Sequence, residues 1–284
     1  MGGGTWTTSS FVNYTKSVGR SVSATGTVNG LYTAQDMFKC RDLQPELDPH
    51  KVIRECRDTD EHPNTIPVIL ALDVTGSMGS TAAQVAKKLN EVMTQLYGQV
   101  QDIEFLVMGI GDLACDYVPI QASQFESDIR IAEQMDKVYF EAGGGGNCYE
   151  SYTAAWYFGL YHTDLDCWQR GKKGIIITLG DEALNPYLPA HKLSEVLGDH
   201  IQADVDTEDL YQKTLGKFDV YHIAVAGDTC YRYHERMIDR TWRQLLDNDH
   251  FKMATVDNVA QCIVDIITGR HDAPNDCATA EISW

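Results

Sequence analysis

The sequence lacks the features of a secreted, membrane-spanning or nucleic-acid-binding protein. No apolar run approaches the roughly 20 residues that a transmembrane helix needs. The first residues, MGGGTWTTSSF, have neither the basic start nor the apolar block of a signal peptide. Basic residues are scarce, with 23 Lys and Arg against 41 Asp and Glu, and the net charge is −18. We therefore expect a cytoplasmic protein that binds neither nucleic acid nor an anionic membrane.

The eight cysteines also lack the spacing of a known cysteine motif. None of them forms a Cys-x-x-Cys pair, and none stands with histidine at the spacing of a zinc site. We interpret them as reduced thiols, as expected in the cytoplasm. The hydrophobic fraction of 43% is ample for a core in a chain of 284 residues.

The most informative segment is IPVILALDVTGSMGS, at residues 66–80. Its first seven residues are apolar without polar alternation, which predicts a strand buried on both faces of a parallel sheet. A helix is predicted to follow the segment directly. Asp73, Thr75 and Ser77 alternate in the loop between strand and helix. On an extended backbone their oxygen atoms can converge on one hard cation.

The run Asp-x-Thr-Gly-Ser-Met-Gly, after a hydrophobic strand and before a helix, resembles the first element of the metal-ion-dependent adhesion site of von Willebrand factor type A domains. That element is usually written Asp-x-Ser-x-Ser; here Thr75 replaces a serine and keeps the hydroxyl. The resemblance covers residues 64–270 and implies a Rossmann-like, doubly wound, mostly parallel α/β sheet with helices on both faces. Residues 1–63 are then an N-terminal extension and residues 271–284 a C-terminal tail.

Residues 103–110, the apolar run at 175–179 and residues 218–226 predict further strands, and these strands alternate with helical patterns as in a doubly wound fold. Polar and apolar side chains alternate at residues 137–141, which predicts a short edge strand. Type A domains have an antiparallel strand third in sequence, so the resemblance implies that this strand is antiparallel. The segment before it, at residues 113–128, is predicted to be a long loop, in which Asp116 could line the site, as could Asp112 just before it.

The N-terminal extension allows two interpretations. Its first 30 residues are rich in Gly, Ser and Thr, so the extension could be a flexible linker or a packed adapter. Thr33 predicts the cap of a short helix, and Asp48 with Pro49 predicts the start of another.

The other two loops of the metal site are assigned from the resemblance. Asp181 matches the third-loop aspartate, although Gly180 is inserted before it where the family has Thr-Asp-Gly; Glu182 is the alternative ligand. The second loop of the family, Gly-Gly-Thr before a helix, corresponds here to four glycines at residues 143–146. Residues 150–162 predict a helix with Tyr152 facing the core. No threonine follows the glycines: counting back from Ala154 and Ala155 of this helix puts Glu150 nearest the threonine position, whereas counting forward from the glycines puts Asn147 there. Three residues therefore stay open as the second-loop ligand: Asn147, Glu150 and Ser151.

Oxygen-only ligation suits Mg²⁺ or Mn²⁺. In type A domains the cation binds a Glu or Asp side chain of another protein. The resemblance therefore implies a non-enzymatic, metal-ion-dependent adaptor of the stand-alone prokaryotic kind, without catalytic or cofactor-binding residues. Fold-level analogy suggests an AAA+ ATPase or another gene-cluster product as partner. If Glu150 entered the first shell, three carboxylates would make the site negative and would weaken its attraction for a partner's carboxylate.

Two alternatives remain. Phosphatases of the haloacid dehalogenase kind also begin with an aspartate after a buried strand; Asp73 would then be the nucleophile, Asp181 a Mg²⁺ ligand, and Lys172 or Lys173 the phosphate-binding lysine. This function ranks second, because a helix-forming run begins within about seven residues of Asp73 and leaves no room for their flap. The other alternative is an assembly protein whose metal site has lapsed.

Overall fold

The computed structural model describes residues 4–141, 148–226 and 229–272, with the backbone alone at residues 229, 230 and 270–272. Its helices are α1 (Thr8–Ser17), α2 (Ala34–Met37), α3 (Gly79–Tyr97), α4 (Arg130–Met135), α5 (Ala154–Tyr161), α6 (Ala190–Leu197), α7 (Thr207–Thr214), α8 (Thr229–Trp242) and α9 (Val259–Asp272). Within these described residues, no helix has the length and apolarity to cross a membrane.

The strands are β1 (Arg54–Cys56), β2 (Ile66–Asp73), β3 (Ile103–Ile110), β4 (Ile120–Ala122), β5 (Tyr149–Glu150), β6 (Thr163–Leu165), β7 (Gly174–Gly180), β8 (Ala183–Leu184), β9 (Tyr187–Leu188), β10 (Val205–Asp206), β11 (Phe218–Ala226) and β12 (Phe251–Thr255). Six of them form the central sheet in the order β12-β11-β7-β2-β3-β4. Neighbours are parallel except for β3 and β4, which are antiparallel. This sheet confirms the predicted α/β class.

Helices cover the central sheet on both faces, and β2 shows why its sequence has no polar alternation. Val68, Leu70 and Leu72 join the core under α3 and α9. Ile69 and Ala71 join the opposite core, under α5, α7 and α8. Because both faces of β2 are buried, every position from Val68 to Leu72 contributes apolar area to a core.

The N-terminal segment packs on the first of these cores, so the linker interpretation is wrong for residues 4–63. Trp6 and Met37 are buried there, and Trp6 Nε1 donates a hydrogen bond to Asn90 Oδ1 on α3 at 3.0 Å. The Arg20 guanidinium donates to both carboxylate oxygens of Asp136, at 2.9 and 2.8 Å, and to the carbonyl oxygen of Met37 at 2.6 Å. Strand β1 also pairs in parallel with β6.

The antiparallel edge strand exists, but the prediction that residues 137–141 form it is wrong. Strand β4, which pairs with β3, lies within residues predicted as a loop, whereas described residues 137–141 form no regular element. The side chain of Gln121 on β4 explains this outcome. Its Nε2 donates to the carbonyl oxygen of Tyr139, and its Oε1 accepts from the backbone N–H of Tyr139, both at 2.8 Å. The side chain thus takes the hydrogen bonds that a further strand would need.

Two predicted helix starts also change. Asp48 and Pro49 do not open a helix; Asp48 Oδ1 accepts from the backbone N–H of His50 in a local turn, and the chain continues into β1. The helix predicted from Glu150 begins at Ala154, because Glu150 belongs to β5 and pairs with Leu184 on β8. The helix predicted behind Thr33 is confirmed, and Thr33 forms a capping box with Asp36.

Candidate metal centre

The first loop of the site folds around Asp73, the last residue of β2. Its Oδ1 accepts from the Thr75 backbone N–H at 2.9 Å and from the Thr75 hydroxyl at 2.6 Å. Thr75 is extended, but residues Gly76–Met78 form a 3₁₀ turn, so the predicted alternation along an extended segment is wrong beyond Thr75. The turn directs the Ser77 hydroxyl to Asp181, and Ser77 Oγ donates to Asp181 Oδ1 at 3.0 Å.

Asp181 reaches the same edge because β7 lies beside β2 in parallel, and parallel strands end at a common edge. Both Asp73 and Asp181 have no exposed surface, and Thr75 is 2% exposed. Ser77 is partly exposed. The four predicted ligands Asp73, Thr75, Ser77 and Asp181 are therefore gathered at one place, with the serine nearest to solvent.

Tyr152 belongs to the candidate site, although the sequence analysis assigned it only to the core. Its hydroxyl donates to Asp73 Oδ2 at 2.8 Å and accepts from the Glu182 backbone N–H at 3.3 Å. A Cβ at Gly180 would lie 1.9 Å from this hydroxyl, which explains the glycine inserted before Asp181. The available signal was the tyrosine itself, because a buried tyrosine hydroxyl requires a hydrogen-bond partner.

The three second-loop candidates lie in different surroundings. Asn147 lies outside the described residues. Ser151 is engaged with the loop after β3: its hydroxyl accepts from the Leu113 backbone N–H at 3.0 Å and lies 3.5 Å from Asp112 Oδ1. Glu150 is 3% exposed, and its Oε2 has no hydrogen-bond partner among the described residues. Burial, followed by the charges of Asp73 and of other acids nearby, raises the pKa of Glu150 to about 12.

Acidic side chains dominate the electrostatics of this edge. Burial raises the pKa of Asp73 to about 6, and the charge of Asp116 adds to the rise. The hydrogen bonds from Thr75 and Tyr152 oppose it, because they stabilise the carboxylate. Crowded, buried carboxylates of this kind favour a bound cation, which removes their mutual repulsion.

The donor set fits a hard divalent cation. Asp73 and Asp181 offer carboxylate oxygens, and Thr75 and Ser77 offer neutral hydroxyls, without any nitrogen or sulfur ligand. Among the residues that the structure describes, no three His, Cys, Asp or Glu side chains are grouped to hold an ion. A three-carboxylate site that includes Glu150 is therefore not preformed there.

The strand order of the central sheet shows the architecture of the fold. The central strand β2 carries the Asp-x-Thr-x-Ser loop, β3 and the antiparallel β4 lie on one side of it, and β7, β11 and β12 follow on the other. The resemblance implies an antiparallel edge strand that is third in sequence among the strands of the sheet, and β4 is that strand, although it lies in another segment than the one predicted. The chain folds as a von Willebrand factor type A-like domain.

Similar folds occur among solved structures. The vWF domain of the type V pili tip protein Mfa5 from Porphyromonas gingivalis is 11% identical, with 73% of this chain and 95% of that chain covered and a TM-score of 0.44. The open conformation of the pilus adhesin SpaC from Lactobacillus rhamnosus GG is 14% identical, with a TM-score of 0.46. Proximal thread matrix protein 1 from the mussel byssus is 10% identical, with 73% and 46% covered and a TM-score of 0.45.

The match to SpaC covers 71% of this chain but 30% of SpaC, so the chain spans less than a third of that adhesin. No protein-family model matches the chain, and no curated protein matches it. These similarities concern the fold alone.

The fold also excludes Lys172 and Lys173 as the phosphate-binding lysine of the phosphatase alternative. Lys172 and Lys173 precede β7, whereas Asp181 follows it, and a strand of this length separates its ends by roughly 20 Å. Lys173 Nζ instead pairs with Asp219 Oδ1 at 3.3 Å at that far edge. Neither lysine can neutralise a phosphate on Asp73, so this part of the alternative is wrong.

Proposed function

We propose that the protein is a metal-ion-dependent protein-binding module, with an Mg²⁺ or Mn²⁺ site that accepts a carboxylate from a partner. The observation that carries the proposal is the contact between Ser77 Oγ and Asp181 Oδ1 at 3.0 Å. It joins loops that are 104 residues apart in sequence, at the edge where Asp73 and Thr75 also lie. This contact supports a site in which four oxygen ligands from two loops bind one ion.

Each of the four residues has a distinct part in this proposal. Asp73 and Asp181 would supply the negative charge that balances a divalent cation, and Thr75 and Ser77 would supply neutral oxygens. When bound, the cation offers a Lewis-acid position to an incoming carboxylate. Ser77 is the partly exposed member of the set, so the partner approaches from its side. Tyr152 holds Asp73 in place through its hydroxyl.

The direct test is metal-dependent capture of a partner. Beads carrying wild-type protein, Ser77→Ala or Ser80→Ala are incubated with extract of the source cells, in Mg²⁺ or in EDTA. Ser80 is an exposed serine at the start of α3 and provides the matched control. We expect partners, such as an AAA+ ATPase or another gene-cluster product, on wild type and Ser80→Ala in Mg²⁺. Retention that survives EDTA or Ser77→Ala would contradict the proposal.

Two other functions are separated by their own measurements. A phosphotransferase would form phospho-Asp73 with a phosphoryl donor such as acetyl phosphate; we expect none, because Asp73 has no exposed surface. An assembly protein with a lapsed metal site would show no change in thermal stability with Mg²⁺, in wild type or in Asp73→Ala. A binding module with an intact site would show the change in wild type alone.

A further inference from the structure

The outward side of helix α8 is basic, although the net charge of the chain is −18. Arginines recur along it at intervals of three or four residues, so they lie on one side of the helix. Together with a tyrosine that is 79% exposed they form a surface that we call the arginine face: Arg232, Tyr233, Arg236, Arg240 and Arg243. The opposite side of α8 packs in the core through Ile238 and Trp242, neither of which has exposed surface. The helix therefore holds the arginines toward solvent on a rigid support.

Most of the arginine face has no acid to pair with inside this chain. Arg243 pairs with Asp239, one turn before it. Arg232, Arg236 and Arg240 form no ion pair and no hydrogen bond with any residue that the structure describes. Other surface arginines of the chain do pair with its carboxylates. Three guanidinium groups are therefore available to carboxylates from outside the chain, which a guanidinium group can bind with two parallel donors.

A surface of the opposite charge lies at the start of helix α7. Residues 193–212 contain six acids and neither lysine nor arginine. Four of these acids are exposed and close together in sequence, and we call them the acidic segment: Asp204, Asp206, Glu208 and Asp209. Tyr187 on β9, which is 49% exposed, adjoins the segment because it pairs with Asp206 on β10. Its ring offers a guanidinium group a surface on which to stack.

The acidic segment and the arginine face are neighbours. The backbone N–H of Leu184 donates to Thr241 Oγ1 in the second half of α8, at 3.2 Å. The carbonyl oxygen of the next residue, Asn185, accepts from Thr207 Oγ1 at the start of α7, at 2.7 Å. Both helices pack on the same face of the sheet. A basic and an acidic surface therefore lie side by side on one side of the molecule.

We propose that two copies of this chain associate through these surfaces, with the arginine face of each copy bound to the acidic segment of the other. Adjacent surfaces of opposite charge can pair in this way about a two-fold axis that passes between them, so each contact occurs twice in the dimer. Exposed tyrosine and arginine are also typical of protein interfaces. The proposal goes beyond the metal-dependent function, because neither surface contains a predicted metal ligand.

A long polyanion such as nucleic acid fits the arginine face less well than a second copy does. The face extends about 17 Å along the helix, from Arg232 to Arg243. Asp247 and Asp249 are exposed just beyond its end, and a nucleic acid would extend over these acids. The acidic segment is compact and avoids them. Repulsion between the net charges of two copies is screened beyond roughly 8–10 Å at physiological salt, so the local contacts decide the pairing.

The test is charge exchange between the two surfaces, with association measured by sedimentation velocity at rising protein concentration. Wild type should form a dimer. Arg236→Glu with Arg240→Glu should weaken dimerisation at least about tenfold, because acids would then face acids. Glu208→Arg with Asp209→Arg should weaken it as much, because arginines would face arginines. An equal mixture of the two double variants should restore the dimer, since every contact in the mixed dimer again joins opposite charges.

Lys16→Glu with Arg41→Glu is the matched control. It makes the same change of net charge as the α8 variant, at exposed positions of the N-terminal segment, which packs on the other face of the sheet. This variant should associate as wild type does. Urea unfolding of each variant checks that it is folded. Dimerisation should be equal in Mg²⁺ and in EDTA, because no predicted metal ligand takes part.

The proposal is overturned if wild type stays monomeric at every concentration, or if either double variant dimerises as wild type does. It is also overturned if the mixture of the two variants stays monomeric, or if the control variant loses as much association as they do. Dimerisation that is lost in EDTA would assign the contact to the metal centre and would overturn the proposal as well.

Discussion

The hydroxyl of Tyr152 occupies the space that a side chain at position 180 would need. A Cβ built on Gly180 would lie 1.9 Å from that hydroxyl, and the same hydroxyl donates to Asp73 Oδ2 at 2.8 Å. Gly180 and Tyr152, which lies just before α5, therefore form one structural unit. Through it, the loop after β2 is joined to the loop after β7.

Gly180→Ala should destabilise the protein, because neither the backbone of β7 nor the fully buried tyrosine ring can move away freely. We expect the free energy of unfolding, measured by urea denaturation, to fall by about 1–3 kcal/mol. Gly269→Ala is the matched control: nothing lies within 4 Å of the added methyl on helix α9, so stability should stay the same or rise slightly. Equal effects of the two substitutions would contradict the packing described here.

Tyr152→Phe should weaken metal binding as well as stability. It removes the donor to Asp73 Oδ2 and leaves the backbone N–H of Glu182 without its acceptor. We expect a loss of about 1–3 kcal/mol in unfolding free energy. Mg²⁺ affinity, measured by calorimetry, should fall about tenfold or more.

Tyr157→Phe, on the helix that follows Tyr152, is its control, because Tyr157 donates to Asp199 Oδ2 at 2.9 Å, away from the site. This variant should leave Mg²⁺ affinity unchanged. A loss of metal affinity in both variants, or in neither, would show that the Tyr152 hydroxyl does not position Asp73.

The sequence analysis identified the parts of the fold that depend on local pattern. The segments that became β2, β3, β7 and β11 are rich in apolar residues and mostly buried, a composition that is typical of parallel strands. Strand β4 was missed because the pairing at that edge depends on the Gln121 side chain, which bonds the backbone of Tyr139. This contact joins two segments that are distant in sequence, so it leaves no periodic pattern in the sequence.

The positions of the candidate ligands were also predictable in part. Asp73, Thr75, Ser77 and Asp181 follow the ends of buried strands, where a resemblance can be matched residue by residue. The 3₁₀ turn that directs Ser77 to Asp181 and the hydrogen bond from Tyr152 could not be predicted, because each depends on the loop from another strand. Glu150 was matched by counting along the helix; its burial beside β8 comes from the pairing of two short strands.

Acid should destabilise the protein through His222. This histidine is fully buried on β11, its Nδ1 lies 2.8 Å from Thr178 Oγ1, and burial holds its pKa well below the ordinary 6.5. Because the folded state disfavours the proton, the unfolded state binds more protons, and stability is lost as pH falls below about 6.5. One unit below that value the loss should be about 1.4 kcal/mol.

His222→Phe provides the comparison for this pH effect, because phenylalanine cannot be protonated and can still stack on Trp242, whose ring centroid is 3.5 Å from that of His222. Urea unfolding of both proteins at neutral pH and at mildly acidic pH isolates the histidine contribution from that of the acids. A difference between the two proteins that does not change with pH would contradict the buried neutral histidine.

Arg20→Met should show that the N-terminal segment is part of the folded unit. It would leave the Asp136 carboxylate, which is 17% exposed, without its bidentate partner. We expect a loss of about 3–5 kcal/mol in unfolding free energy. Lys137→Met, which breaks the exposed pair of Lys137 with Glu46, should have no measurable effect. Similar losses of unfolding free energy in both variants would contradict a structural role for the Arg20–Asp136 pair.

The central claim is that Asp73 and Asp181 share one divalent ion with Thr75 and Ser77. The most direct measurement is a Mn²⁺ titration, in which the electron paramagnetic resonance signal of free Mn²⁺ reports binding. Wild type should bind one Mn²⁺ per chain in competition with Mg²⁺, and so should Asp219→Asn, whose acid pairs with Lys173 at the opposite edge. Asp73→Asn and Asp181→Asn should each abolish binding. Wild type that leaves the Mn²⁺ signal unchanged, or Asn variants that bind as wild type does, would contradict the claim.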